Sequence, residues 1–231
     1  FRGQTPGDLN GPFISQFLYQ DVPCGNRVNP QVAPQPRPGS DYMTDYEGWL
    51  AVQRGQTPNS TVPRTRGERY IMNGRDLGEY VHRDFSYQAY LNAGLIASSY
   101  GAAALDPNPY ASALREGAFV TFGGAALLDF VARAAMLGLR PAWFHKWAVH
   151  RKLRPEAFAG RVHNHLSGAA TYPIHDEFLS SPVLDRVWSR NGTYLLPQAF
   201  PEGSPTHPSY PAGHATIAGA CSSPSSSPSP S

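Results

Sequence analysis

The chain is poor in charge, in cysteine and in long apolar runs, and each shortage removes a class of protein. Only 16% of its 231 residues are charged and the formal net charge is +2. No basic run interleaves with the aromatics, so no nucleic-acid surface is expected. No apolar run approaches the roughly 20 residues of a membrane span, and none is expected to cross one. The two cysteines, Cys24 and Cys221, match no metal-ligand spacing. They are expected as free thiols, one disulfide being the alternative. Runs of alternating β-branched residues are missing, which speaks against a large sheet, and no segment repeats at a fixed period. The residues given open at Phe1 without a basic-then-apolar run, and the chain is expected to begin inside a longer one.

Proline and glycine are plentiful, at 23 and 22 residues, and predict many loops. The apolar spacing predicts an all-α fold, a helical bundle with long loops. A short helix is expected within Pro12–Tyr19, then a Pro-rich connection over 30–39. Tyr42, Tyr46, Trp49 and Leu50 give helical spacing to 41–54, and the polar stretch 55–69 reads as loop. Residues 73–100 form the longest helical candidate, with Leu77, Val81, Phe85, Gln88, Leu91, Leu95 and Ile96 recurring mostly every three or four residues and Gly101 as its cap. A second long helix, apolar nearly all round and so central, is expected over 119–139. Pro141 then suits the first turn of a third helix, 142–154, and Pro155 opens another over 156–166. The expected domain covers 1–221, and the Ser/Pro-rich 222–231 is expected to be a disordered tail. Asn59-Ser-Thr61 and Asn191-Gly-Thr193 fit the glycosylation acceptor pattern, which is common by chance.

The most informative stretch is Ser204-Pro-Thr-His-Pro-Ser-Tyr-Pro-Ala-Gly-His-Ala-Thr216. His207 and His214 flank a Pro-Ala-Gly turn, and His214 opens a helix-like run of small residues. A helix start presents unpaired N–H groups and a positive dipole end, which favour anions. A histidine there can exchange protons near neutral pH. The segment Trp143-Phe-His-Lys-Trp-Ala-Val-His-Arg-Lys-Leu-Arg-Pro155 mixes aromatics with cations. On a continuous helix Lys146 and Arg154 would stand about 12 Å apart along the axis and roughly 80° around it. Their long side chains could still converge on one oxyanion, Arg as a fork of donors and Lys as a compact charge. The same mixture equally suits a buried helix whose cations snorkel to water.

Taken together the two segments resemble the vanadium-dependent haloperoxidases, in particular the algal and cyanobacterial bromoperoxidase branch. Lys146, Arg154-Pro155 and Pro211-Ala-Gly-His214 follow that family's order. The resemblance extends to Thr5-Pro-Gly-Asp-Leu, to residues 73–86 and to 200–209. The core pattern is shared with acid phosphatases, since vanadate and phosphate are alike in shape and charge. The resemblance implies vanadate as cofactor, with hydrogen peroxide, halide and a small organic acceptor as reactants. Lys146 and Arg154 would bind vanadate oxygens, Lys146 would also polarise a bound peroxide, and the Gly213 N–H would donate to another oxygen. His214 would be the acid–base residue. His207 stands where bromoperoxidases carry a second histidine, which favours bromide and iodide over chloride. Trp143 would lie beside the pocket, or simply pack in the core. Assembly into homo-oligomers is implied for the full-length parent.

Two departures qualify the match. Ala212 replaces the family's usual serine and removes one hydroxyl donor, a loss of about 1 kcal/mol or more. The distal Arg and the His that bonds vanadium should lie some dozens of residues after His214, yet neither residue occurs in the 17 positions that follow it. No metal ligand is therefore assigned. The fold is expected to be incomplete at its C-terminus, the Ser/Pro ending not to be native, and the chain itself to be impaired. His163 and His165 should point to different helix faces, and His82, His145, His150 and His175 are expected to be surface or structural. The alternatives are an acid-phosphatase-like ester hydrolase and an inactive helical binding or assembly fragment.

Overall fold

A computed structural model describes residues 14–101 and 107–222. The Thr5-Pro-Gly-Asp-Leu motif, the start of the Pro12–Tyr19 piece and the Ser/Pro tail beyond Ser222 lie outside the described residues. The chain divides into two compact units. The first takes in Phe1–Gln35, Thr65–Phe144 and Pro211–Ser231, and the second Pro36–Arg64 and His145–Tyr210.

In the first unit a single 3₁₀ turn, Gln16–Tyr19, leads into an antiparallel hairpin of β1 (Val22–Cys24) and β2 (Arg27–Asn29). Strand β3 begins here (Ala33–Pro36) and pairs with β4 (Arg64–Arg69). Neither pair shows in the sequence, because Ala-Pro-Gln-Pro and Arg-Thr-Arg-Gly-Glu-Arg lack the apolar alternation of a half-buried strand. The 55–69 loop expectation is corrected over 64–69, while 55–63 is loop and helix dominates the fold as expected.

The candidate helix 73–100 is two helices, α2 (Gly74–Arg83) and α3 (Gln88–Ser99). Asn73 caps α2 by accepting from the Asp76 N–H at 3.0 Å. The Asp76 carboxylate is buried and bound by Arg69 and by the Met72 N–H. The chain leaves the helix at Asp84, which is extended (ψ 158°), and resumes it at Gln88. Gly101 does follow the end of α3, in the left-handed conformation (φ 77°) that suits glycine. Helix α4 (Gly124–Phe144) starts five residues later than expected and runs through Pro141. So Pro141 does not open a third helix. Helix α4 packs against α3, where Gly94 faces Leu127 and Leu128. It also packs against the last helix of this unit, α8 (Gly213–Ser222), where Gly138 approaches Ala220 and Thr216. Val22, Ile71, Ile96, Ala135, Ala142 and Ile217 are the buried apolar residues described in this unit. Phe130 and Leu137 of α4 are exposed, so this helix is less fully enclosed than its composition predicts. Both cysteines are free thiols.

In the second unit Asp45 caps α1 (Tyr46–Gln53), accepting from the Gly48 N–H at 2.6 Å. Residues 145–150 form a π turn that ends when the Arg151 N–H bonds the Lys146 carbonyl at 3.0 Å. Arg151 is in the left-handed region (φ 43°), a strained place for a side chain with a Cβ. Of the expected helix 142–154, residues 142–144 complete α4, and a π turn and four non-helical residues take the place of the rest. Helix α5 (Pro155–Leu166) begins with proline at its first position, as expected. A short α6 (Asp176–Leu179) and α7 (Pro182–Asn191) follow. Met43, Trp49 and Leu195 form the core cluster. A side chain at Gly160 would overlap the Trp49 ring, so α5 can lie this close only with glycine there.

Candidate functional site

The predicted cations fall in the second unit. Lys146 sits inside the π turn and is only 1% exposed. Its Nζ donates to the Pro208 carbonyl at 2.7 Å. An ammonium has three donors, so this bond leaves two for other acceptors. Burial, and then the charge of Arg154, hold the Lys146 pKa below the usual lysine value. Arg154 precedes α5 with extended backbone (ψ 150°). Its Nε is buried and has no hydrogen-bond partner among the described residues. Two cations that sense each other and keep unspent donors are costly unless an anion joins them.

The 204–209 segment lies along these residues. The Ser209 N–H donates to the Lys152 carbonyl at 3.1 Å, and its Oγ donates to that of Leu153 at 2.8 Å. His207 Nδ1 lies 3.0 Å from the Pro208 carbonyl, the same oxygen that receives Lys146. Lys146, Arg154 and His207 therefore belong to one structural neighbourhood, although no continuous helix carries the two cations.

Gly213 and His214 fall in the first unit, where Gly213 opens α8. The first helical hydrogen bond runs from the Thr216 N–H to the Ala212 carbonyl at 3.0 Å. The N–H groups of the first turn, Gly213 included, have no intrahelical acceptor. A Cβ at Gly213 would meet Leu139 at 3.3 Å, so α8 starts close against α4. His214 is exposed, and its Nε2 lies 3.0 and 3.1 Å from the two oxygens of the buried Asp84 carboxylate. Asp84 went unnoticed in the sequence, where it reads as one more acid on a helix. Its signal is the break after Arg83, which turns the carboxylate away from a helical surface.

The other histidines have structural partners. His163 Nδ1 accepts from the Tyr194 N–H at 3.3 Å, and burial lowers its pKa. His165 accepts from the Tyr172 N–H at 3.1 Å, so the two do point to different neighbours. His175 caps α6, His145 stacks on His150, and His82 lies 3.9 Å from Glu79. Trp143 is 44% exposed, so the core-packing alternative for it is corrected.

No protein-family model matches the chain. It is 34% identical over 232 residues to a vanadium-dependent bromoperoxidase of Ascophyllum nodosum, covering 95% of this chain and 41% of that protein. It is 33% identical over 270 residues to the corresponding enzyme of Corallina pilulifera, covering 96% of this chain and 45% of the relative. Among solved structures, the homohexameric second vanadate-dependent bromoperoxidase of Ascophyllum nodosum superposes with a TM-score of 0.81 at 33% identity. That match covers 95% of this chain and 38% of the other. The chain thus spans less than half the length of these relatives. Over nearly all of its own length it is a homologue of the vanadium-dependent bromoperoxidases, alike in sequence and in fold.

Proposed function

We propose that the protein to which these residues belong oxidises bromide and iodide with hydrogen peroxide, in a vanadate-dependent reaction that halogenates small organic acceptors. The observation that carries this reading is the buried Lys146 with its depressed pKa beside Arg154, whose Nε is buried and unpaired. Such a pair suits an oxyanion of vanadate's charge and shape, because the anion would restore the favoured charged state of the lysine and occupy the spare donors. The relatives at 33–34% identity are bromoperoxidases, which favours a peroxidase over an ester hydrolase.

Each residue then has a task. Lys146 and Arg154 hold and neutralise the oxyanion, and the Gly213 N–H is given a donor's role by the family resemblance alone. When bound, vanadate supplies a Lewis-acid centre that activates peroxide toward attack by halide. His214, oriented by Asp84, moves protons to and from peroxide. His207, beside the Pro208 carbonyl, borders the place where halide reacts and favours bromide and iodide over chloride. Ala212 supplies no hydroxyl, so the site has one donor fewer than the family's serine would give. We further propose that the protein assembles as a homo-oligomer; the solved relative is homohexameric.

The test is bromination of an organic acceptor that requires both vanadate and peroxide, lost in Lys146→Met and Arg154→Met. Hydrolysis of phosphate esters without bromination would overturn the reading.

A further inference from the structure

Glu156 is buried, at 5% exposure, yet the oxyanion site does not use it. It follows Arg154 by two residues at the second position of α5, where a carboxylate complements the helix dipole. A buried carboxylate is costly without hydrogen bonds. Arg154 Nε leaves it unpaired. Instead Ser204 Oγ lies 2.9 Å from Glu156 Oε2 and 3.3 Å from Gln198 Oε1. A hydroxyl has one proton to give, and the shorter, charged acceptor takes it. On the other side, the Trp49 indole N–H donates to the Glu156 carbonyl at 3.0 Å and fixes this turn of α5 on the core cluster.

Ser204 opens the segment that ends in the Lys146–Pro208 and Ser209–Lys152 bonds. That segment is therefore fastened at both ends, by Glu156 at one and by the Lys146 turn at the other. Resting on the oxyanion reading above, we infer that Glu156 is a positioning residue. Through Ser204 it sets the 204–209 segment against the 146–154 segment, and so fixes the donor geometry that an oxyanion meets at Lys146 and Arg154. Because the carboxylate is satisfied by a neutral hydroxyl, it orders the site without neutralising Arg154.

The test uses Glu156→Ala, Glu156→Gln and Ser204→Ala in the full chain, with two readouts. The first is hydrogen exchange of the Ser209 amide in anion-free protein. The second is affinity for orthovanadate and for inorganic phosphate by calorimetry. Glu156→Ala is expected to speed Ser209 exchange and weaken both anions by about tenfold, the worth of one hydrogen bond. Glu156→Gln, which can still accept from Ser204, restores both. Ser204→Ala reproduces the defect, serves if Glu156→Ala does not fold, and adds nothing when combined with it. Anion affinity in Glu156→Ala and Ser204→Ala equal to wild type overturns the inference alone. Wild-type protein that binds neither anion overturns the oxyanion reading and this inference with it.

Discussion

His214 Nε2 and Asp84 Oδ2 are 3.0 Å apart, joining residues 130 positions apart in sequence. A carboxylate only accepts, so Nε2 carries the proton and Nδ1 is left to take part in proton transfer. In the proposed reaction His214→Ala is expected to lower the turnover number by about 100-fold or more. Asp84→Asn should lower it less, and the double variant should be no worse than His214→Ala, because Asp84 acts only through the ring. Nitrogen-15 shifts of the His214 imidazole give an activity-independent check: the Nε2–H tautomer in wild type and a mixture in Asp84→Ala.

The buried ammonium of Lys146 should make anion binding pH-dependent. Its folded pKa lies below the unfolded one, so the charged form is disfavoured by folding and favoured by a bound anion. Affinity for oxyanions is therefore highest below the folded Lys146 pKa and falls as pH rises through it, at lower pH than for an ordinary lysine. The stability of the anion-free protein moves the other way. The unfolded state holds the proton more tightly, so stability rises with pH between the folded and unfolded values. Phosphate affinity and thermal unfolding measured across the alkaline range should diverge in this manner. Lys146→Met should abolish anion binding, and the trend with it, while costing less than about 1 kcal/mol in stability, since it also removes a buried charge.

Two glycines in helices should respond oppositely to alanine. Gly160→Ala drives a methyl into the Trp49 ring and should cost about 2–3 kcal/mol. Gly78, inside α2, has nothing within 4 Å of a built Cβ. Gly78→Ala should stabilise by about 0.5–1 kcal/mol through helix propensity. Chemical denaturation of both variants checks the contrast.

What the sequence made legible was local. Proline at the start of α5, glycine after α3 and the start of α8 were all readable, because each depends on a few neighbouring residues. The break at Asp84 was not, since periodicity places Phe85 on the same apolar face as Val81, and the acid's partner lies on α8. Nor was the π turn. It buries Lys146 by shifting the hydrogen-bonding step from four to five residues, a change that leaves the apolar spacing nearly intact. The proposed site residues rest on the family pattern, while Asp84, Glu156 and Ser204 became visible only through their contacts.

The two thiols should differ in reactivity. Cys24 is exposed, whereas burial raises the pKa of the Cys221 thiol. Thiolate is the reactive form, so a thiol reagent at neutral pH should label Cys24 first and Cys221 only slowly. Mass spectrometry of a time course reads this directly, and reductant should leave the melting temperature unchanged.

The most direct test of the central claim is a vanadate titration of the wild-type chain and of Lys146→Met and Arg154→Met, followed by calorimetry and vanadium-51 resonance. Wild-type protein should bind saturably at one anion per chain, with competition by phosphate and loss of binding in both variants. Vanadate that leaves wild-type stability and spectrum unchanged, or binds the variants equally well, would contradict the claim, since a ligand of the native state must stabilise that state.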